Sequence, residues 1–91
     1  MSEWNFENSD RWYQADPEKI KFDGEFNGIR CVFAVSVSEI NDHFNSYDSR
    51  TNAEENFDEN QSFFYDLAIE AADGDEPEFY DDEPYFYFID L

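Results

Sequence analysis

Lys19-Ile20-Lys21-Phe22-Asp23-Gly24-Glu25-Phe26-Asn27-Gly28-Ile29-Arg30-Cys31-Val32-Phe33-Ala34-Val35 is the stretch that decides the fold. Residues 19–22 alternate polar and apolar, the period-2 pattern of a half-buried strand. Residues 29–35 form the clearest strand of the chain. Ile29, Cys31, Phe33 and Val35 point to one face, and Arg30, Val32 and Ala34 to the other, because successive side chains alternate across a pleated strand. Asp23-Gly24 is a turn signal and Gly28 closes the loop. The two segments read as an antiparallel hairpin joined by the six residues 23–28.

Downstream, Ser36-Val37-Ser38-Glu39 fits a capping box. Val37, Ile40 and Phe44 then fall at i, i+3 and i+7, predicting a helix over about 36–45. Thr51-Asn52-Ala53-Glu54 offers a second box. Ala53, Phe57, Asn60, Phe64, Leu67, Ala68 and Ala71 follow 3–4 spacing, predicting one long helix over about 52–72 with Asn60 as a defect in its apolar stripe. Asp73-Gly74 is a helix stop. The tail reads as a second hairpin: Glu78-Phe79-Tyr80 and Tyr85-Phe86-Tyr87-Phe88-Ile89 as strands, and Asp81-Asp82-Glu83-Pro84 as the turn. Tyr85, Tyr87 and Ile89 face one way and Phe86 and Phe88 the other. Such a strand is covered on both sides or offers one face to a partner. Upstream, residues 1–18 read as an arm packed on by Trp4, Phe6, Trp12 and Tyr13, with Trp4-Asn5-Phe6 as a short strand. The expected fold is α+β: a small antiparallel sheet of two hairpins packed against two helices.

Ninety-one residues bound this to a single domain spanning 1–91. Five Lys and Arg against 24 Asp and Glu give a formal charge of −19. That balance excludes direct binding to nucleic acid, which needs clustered cations, and disfavours anionic membrane surfaces. Acidic chains are often disordered for want of apolar surface. This one carries eleven Phe, six Tyr and two Trp, and each buried ring removes roughly 150–250 Å² from water. No run is long and uncharged enough for a transmembrane helix. Met1-Ser2-Glu3-Trp4 lacks the basic start of a secretory signal. The lone Cys31 fits a reducing compartment, so a cytoplasmic location is expected.

Catalysis is not expected. One His and one Cys, His43 on a helix and Cys31 on a strand, do not suggest a nucleophile–base pair. With 24 acids, close carboxylate pairs are inevitable and individually uninformative. Asp73-Gly74-Asp75 resembles the start of a calcium loop. The required Gly and Glu positions hold Glu78 and Pro84 instead, so no metal site and no cofactor is assigned.

Charge asymmetry is the strongest functional signal. Every basic residue lies in the first fifty, which carries ten acids; residues 51–91 carry fourteen acids and no base. The long helix thus holds like-charge i,i+4 pairs without partners: Glu54/Asp58, Glu55/Glu59 and Asp66/Glu70. Two readings compete. One is a solvated acidic surface on a small domain, with a homodimer through strand pairing as an option. The other is a non-enzymatic binding protein whose C-terminal half imitates DNA before the basic surface of a DNA-binding partner. Size and charge are similar to those of acidic DNA-mimic proteins, a likeness of composition only. The partner-binding residues on this reading are Glu54, Glu55, Asp58, Glu59, Asp66, Glu70 and Asp73 on the helix. Asp75, Glu76, Glu78, Asp81, Asp82 and Glu83 follow beyond it, with Tyr65, Tyr80 and Tyr85 as anchors.

From Ile20 to Ile89 the chain resembles a family of small bacterial proteins catalogued as domain of unknown function 1488. The resemblance rests on Trp12, Ile20-Lys21-Phe22, the Asn27-Gly28-Ile29-Arg30-Cys31 step into a strand, the helix after it, Phe57 and Leu67-Ala68. The chain departs from that family in its greater acidity and its aromatic C-terminal hairpin. The resemblance implies an α+β fold and a bacterial origin, and no activity.

Overall fold

The computed structural model describes residues 4–7, 9–15, 17–74 and 85–91. The central hairpin pairs β3 (Lys19–Phe26) with β4 (Ile29–Ser36), in register from Lys19↔Ser36 to Phe26↔Ile29. Its turn is Asn27-Gly28, not a six-residue loop from Asp23. Asn27 and Gly28 both take positive φ, 52° and 82°, the combination that matches a two-residue turn to strand twist. Asp23-Gly24 is therefore interior to β3. Gly24 serves there by having no side chain: a Cβ would collide with the Phe6 ring.

The arm is more regular than expected. β1 (Trp4–Asn5) and β2 (Arg11–Gln14) both pair antiparallel with β3, at its Phe26 and Lys19 ends respectively. On the far side of β4 lies β5 (Phe86–Ile89), and here the expectation is corrected: β5 runs parallel to β4, so the sheet is mixed. The chain leaves the Ser36 end of β4, crosses through the helices and re-enters at the opposite end, a connection that makes the two strands parallel. Phe86, Tyr87 and Ile89 are buried, whereas Phe88 is exposed, so the Tyr87 and Ile89 face is covered and the Phe86 and Phe88 face only in part. The expected strand at 78–80 and turn at 81–84 lie outside the described residues.

Three helices cover one face: α1 (Val37–His43), α2 (Arg50–Glu59) and α3 (Gln61–Gly74). The single helix expected over 52–72 is two. Asn60 has φ −130° and ψ 36°, and its Nδ2 donates to the Asn56 carbonyl at 2.8 Å. This side chain competes with the helical backbone locally, while its own carbonyl accepts from Phe64 N and starts α3. The stripe defect is thus the joint. Capping also differs. Ser36 is the N-cap of α1 but makes no side-chain cap bond; its hydroxyl meets that of Ser38 at 3.0 Å. The cap of α2 is Ser49, two residues before Thr51, and its Oγ accepts from Asn52 N at 3.1 Å.

Between helices and sheet lies an aromatic core of Phe22, Phe33, Phe57, Phe64 and Tyr87 with Ile20, Val35, Val37, Ile40 and Ile89. Phe22 stacks on Phe33 at 5.3 Å and meets Phe57 at 5.1 Å. Burying each such side chain contributes on the order of 1.5–3 kcal/mol. Asn41, 1 % exposed, ties α1 to the loop before α2. Its Nδ2 donates to the Ser49 carbonyl at 2.9 Å and to Asp48 Oδ1 at 3.2 Å, and its Oδ1 accepts from Asn56 at 3.3 Å. On the opposite sheet face Val32, Ala34 and Phe86 cluster with Trp12.

Candidate functional site

The two arginines on the helical side are both engaged by α2. Arg11 projects from β2 and forks: Nη1 donates to Glu54 Oε2 at 2.7 Å, while Nε and Nη2 donate to Asp58 Oδ1 and Oδ2 at 2.8 and 2.7 Å. Arg50 Nε reaches Glu54 Oε1 at 3.3 Å, and its guanidinium lies 4.1 Å from the Tyr13 ring centroid. Glu54/Asp58 is therefore not the unpartnered like-charge pair expected from the helix alone. One guanidinium from a distant strand converts it into a clamp on α2. Hydrogen bonding from Arg11 holds the Asp58 carboxyl below its ordinary value, and Asp58 holds the Arg11 guanidinium above its own. Composition along the helix could not reveal this, because the partner lies more than forty residues upstream.

The remaining helix acids are different. Glu55, Glu59, Asp66, Glu70 and Asp73 are exposed, and none takes part in an ion pair among the described residues. Glu55 and Glu59 are one turn apart on α2. Asp66, Glu70 and Asp73 follow i, i+4, i+7 on α3, a row about 10 Å long at 1.5 Å per residue. Glu39, Asp42 and Asp48 extend the acidity around α1. The other basic residues lie on the far face of the sheet. Lys21 Nζ donates to Gln14 and sits 4.7 Å from the Phe86 ring centroid; Arg30 pairs with Asp23 at 3.1 Å. Lys21 and Arg30 are thus held away from the helices, a placement that becomes visible only once alternation along β2, β3 and β4 is fixed in space.

Of the expected anchors, Tyr65 is half-buried, stacked on Phe6 at 4.3 Å and 5.8 Å from Phe22. Tyr85 is half-buried at the start of the final strand. Tyr80 and Asp75, Glu76, Glu78, Asp81, Asp82 and Glu83 lie outside the described residues. Cys31 is buried near the start of β4, and burial pushes its thiol up. His43 is exposed on α1, which follows the other end of β4, and stacks on Phe63 at 5.1 Å. The two do not meet. Among the described residues no group of three or more His, Cys, Asp or Glu side chains is placed to hold a metal, and no helix is long and apolar enough to cross a membrane. Comparisons with protein-family models, with curated proteins and with solved structures find no match to this chain.

Proposed function

We propose that the protein is a non-enzymatic, acidic binding protein whose helical layer occupies the nucleic-acid-binding surface of a basic partner in the cytoplasm. One observation carries the reading: Glu55 and Glu59 on α2 and Asp66, Glu70 and Asp73 on α3 are exposed and in no ion pair among the described residues, while the basic residues are tied to α2 or held on the far face of the sheet. Fixed carboxylates before a basic groove replace phosphates electrostatically. Such complementarity gives fast, salt-sensitive association.

A pull-down from a bacterial lysate at low and high salt tests this, the source following from the family resemblance. The expected result is retention of a DNA-binding protein at low salt, its release at high salt, and its displacement by duplex DNA. The fourfold variant E55Q/E59Q/D66N/E70Q should lose that capture while keeping the wild-type circular dichroism. Retention of nothing that binds DNA, or a captured protein that DNA does not displace, returns the acidity to a solvated surface.

A further inference from the structure

Where the end of α3 meets the sheet there is a cleft of about 190 Å³. Four aromatic residues, Trp4, Phe26, Tyr85 and Tyr87, line it together with Ile29 and Ala72. Trp4 and Phe26 form one corner, with ring centroids 5.0 Å apart at 45°. Cys31, 4 % exposed, and Tyr87, 8 % exposed, give it a deep apolar floor, and exposed Asp73 stands at its rim. We propose that this cleft binds a small quaternary or methylated ammonium group.

Four features converge on that chemistry. Drug-sized ligands occupy roughly 300–1,000 Å³, so this cleft suits a head group. Aromatic faces carry negative potential and attract cations, most effectively where water is excluded. The last turn of α3 contains no basic residue, and the negative end of its dipole adds to the Asp73 carboxylate. The protein's charge of −19 raises the local concentration of any cation.

Alternatives fit less well. Calcium and magnesium demand six or more oxygen ligands, whereas the walls are chiefly ring carbon. A primary ammonium is strongly hydrated and needs several acceptors to leave water. A methylated ammonium has no such requirement. A neutral apolar group would gain nothing from Asp73 or from the end of α3.

The test compares choline with its uncharged isostere 3,3-dimethylbutan-1-ol on the full chain, at constant ionic strength, by ligand-observed NMR. Choline is expected to show saturable binding, upfield-shifted N-methyl protons and NOEs to the Trp4 and Tyr85 rings. Its affinity should exceed that of the isostere by about tenfold. Asp73→Asn, on the surface and outside the core, should weaken choline a few-fold and leave the isostere unchanged. Equal affinities for the two would overturn the proposal, as would binding of neither. This outcome is separable from the basic-partner reading, because the fourfold variant leaves Asp73 in place.

Discussion

Arg11 shows how far a single side chain sets the electrostatics of α2. Its fork joins two carboxylates that would otherwise repel one turn apart. Exposed ion pairs contribute about 0.2–1 kcal/mol each, and an i,i+4 like-charge pair costs a few tenths. Arg11→Met should therefore destabilise the domain by about 1 kcal/mol, a fall in Tm of roughly 4–8 °C for a chain of this size, read by thermal melting. The pH dependence has a fixed sign. Asp58 titrates below its ordinary 3.8 in the folded state, so its contribution is present above that value and lost as pH falls through the lowered one. The gap between wild type and R11M should accordingly be full at neutral pH and close on acidification. A gap that persists in acid would mean Arg11 acts by packing instead. Cys31 supplies a second residue-scale check. With its thiol buried and its ionisation suppressed, modification by a thiol reagent at neutral pH should track global unfolding. Rapid labelling of the native protein would contradict that burial.

Among the elements, strand faces are encoded locally, whereas boundaries and strand direction are not. The alternation in 29–35 put Ile29, Cys31, Phe33 and Val35 on one face and Arg30, Val32 and Ala34 on the other; Cys31, Phe33 and Val35 pack into the core and Val32 and Ala34 cluster on the opposite face, while Ile29 at the strand start is exposed. Periodicity is a property of the segment itself, so it can be read without knowing the partner. Boundaries were less legible. Asp23-Gly24 and Asn27-Gly28 are both turn signals, and only the demand for positive φ at two successive residues selects the second. Asn60 marks a joint because its amide reaches Asn56, a contact that apolar spacing does not encode. The direction of β5 was hidden for a different reason: strand alternation is the same whichever way the neighbour runs. At the helix starts, hydroxyl geometry separates candidates that look alike in sequence. Ser49→Ala should cost about 1 kcal/mol, because it removes a real cap bond. Ser36→Ala should cost clearly less, since its hydroxyl caps nothing. Equal costs in chemical denaturation would refute this distinction.

At the level of the molecule, the helical acids outnumber the two arginines beside them, while Lys21 and Arg30 lie among rings on the other face. Self-repulsion of this size opposes compactness, and it is screened over a Debye length of about 10 Å at 0.1 M salt. Tm should therefore rise with sodium chloride, and rise more steeply in R11M than in wild type, as followed by circular dichroism. A Tm that falls with salt would show that the retained ion pairs outweigh the repulsion. The parallel ladder between β4 and β5 carries a further consequence, for the order of assembly. Val32 and Phe86 are neighbours in the sheet but more than fifty residues apart in the chain. The hairpin of β3 and β4 closes locally through its two-residue turn, whereas β5 must await the docking of three helices, and non-local pairings of this kind form slowly. Until then the β4 edge that β5 will cover presents unpaired backbone groups beside Val32 and Ala34. In any chain that has not yet added β5, that edge is the place where two unfinished chains would zip together.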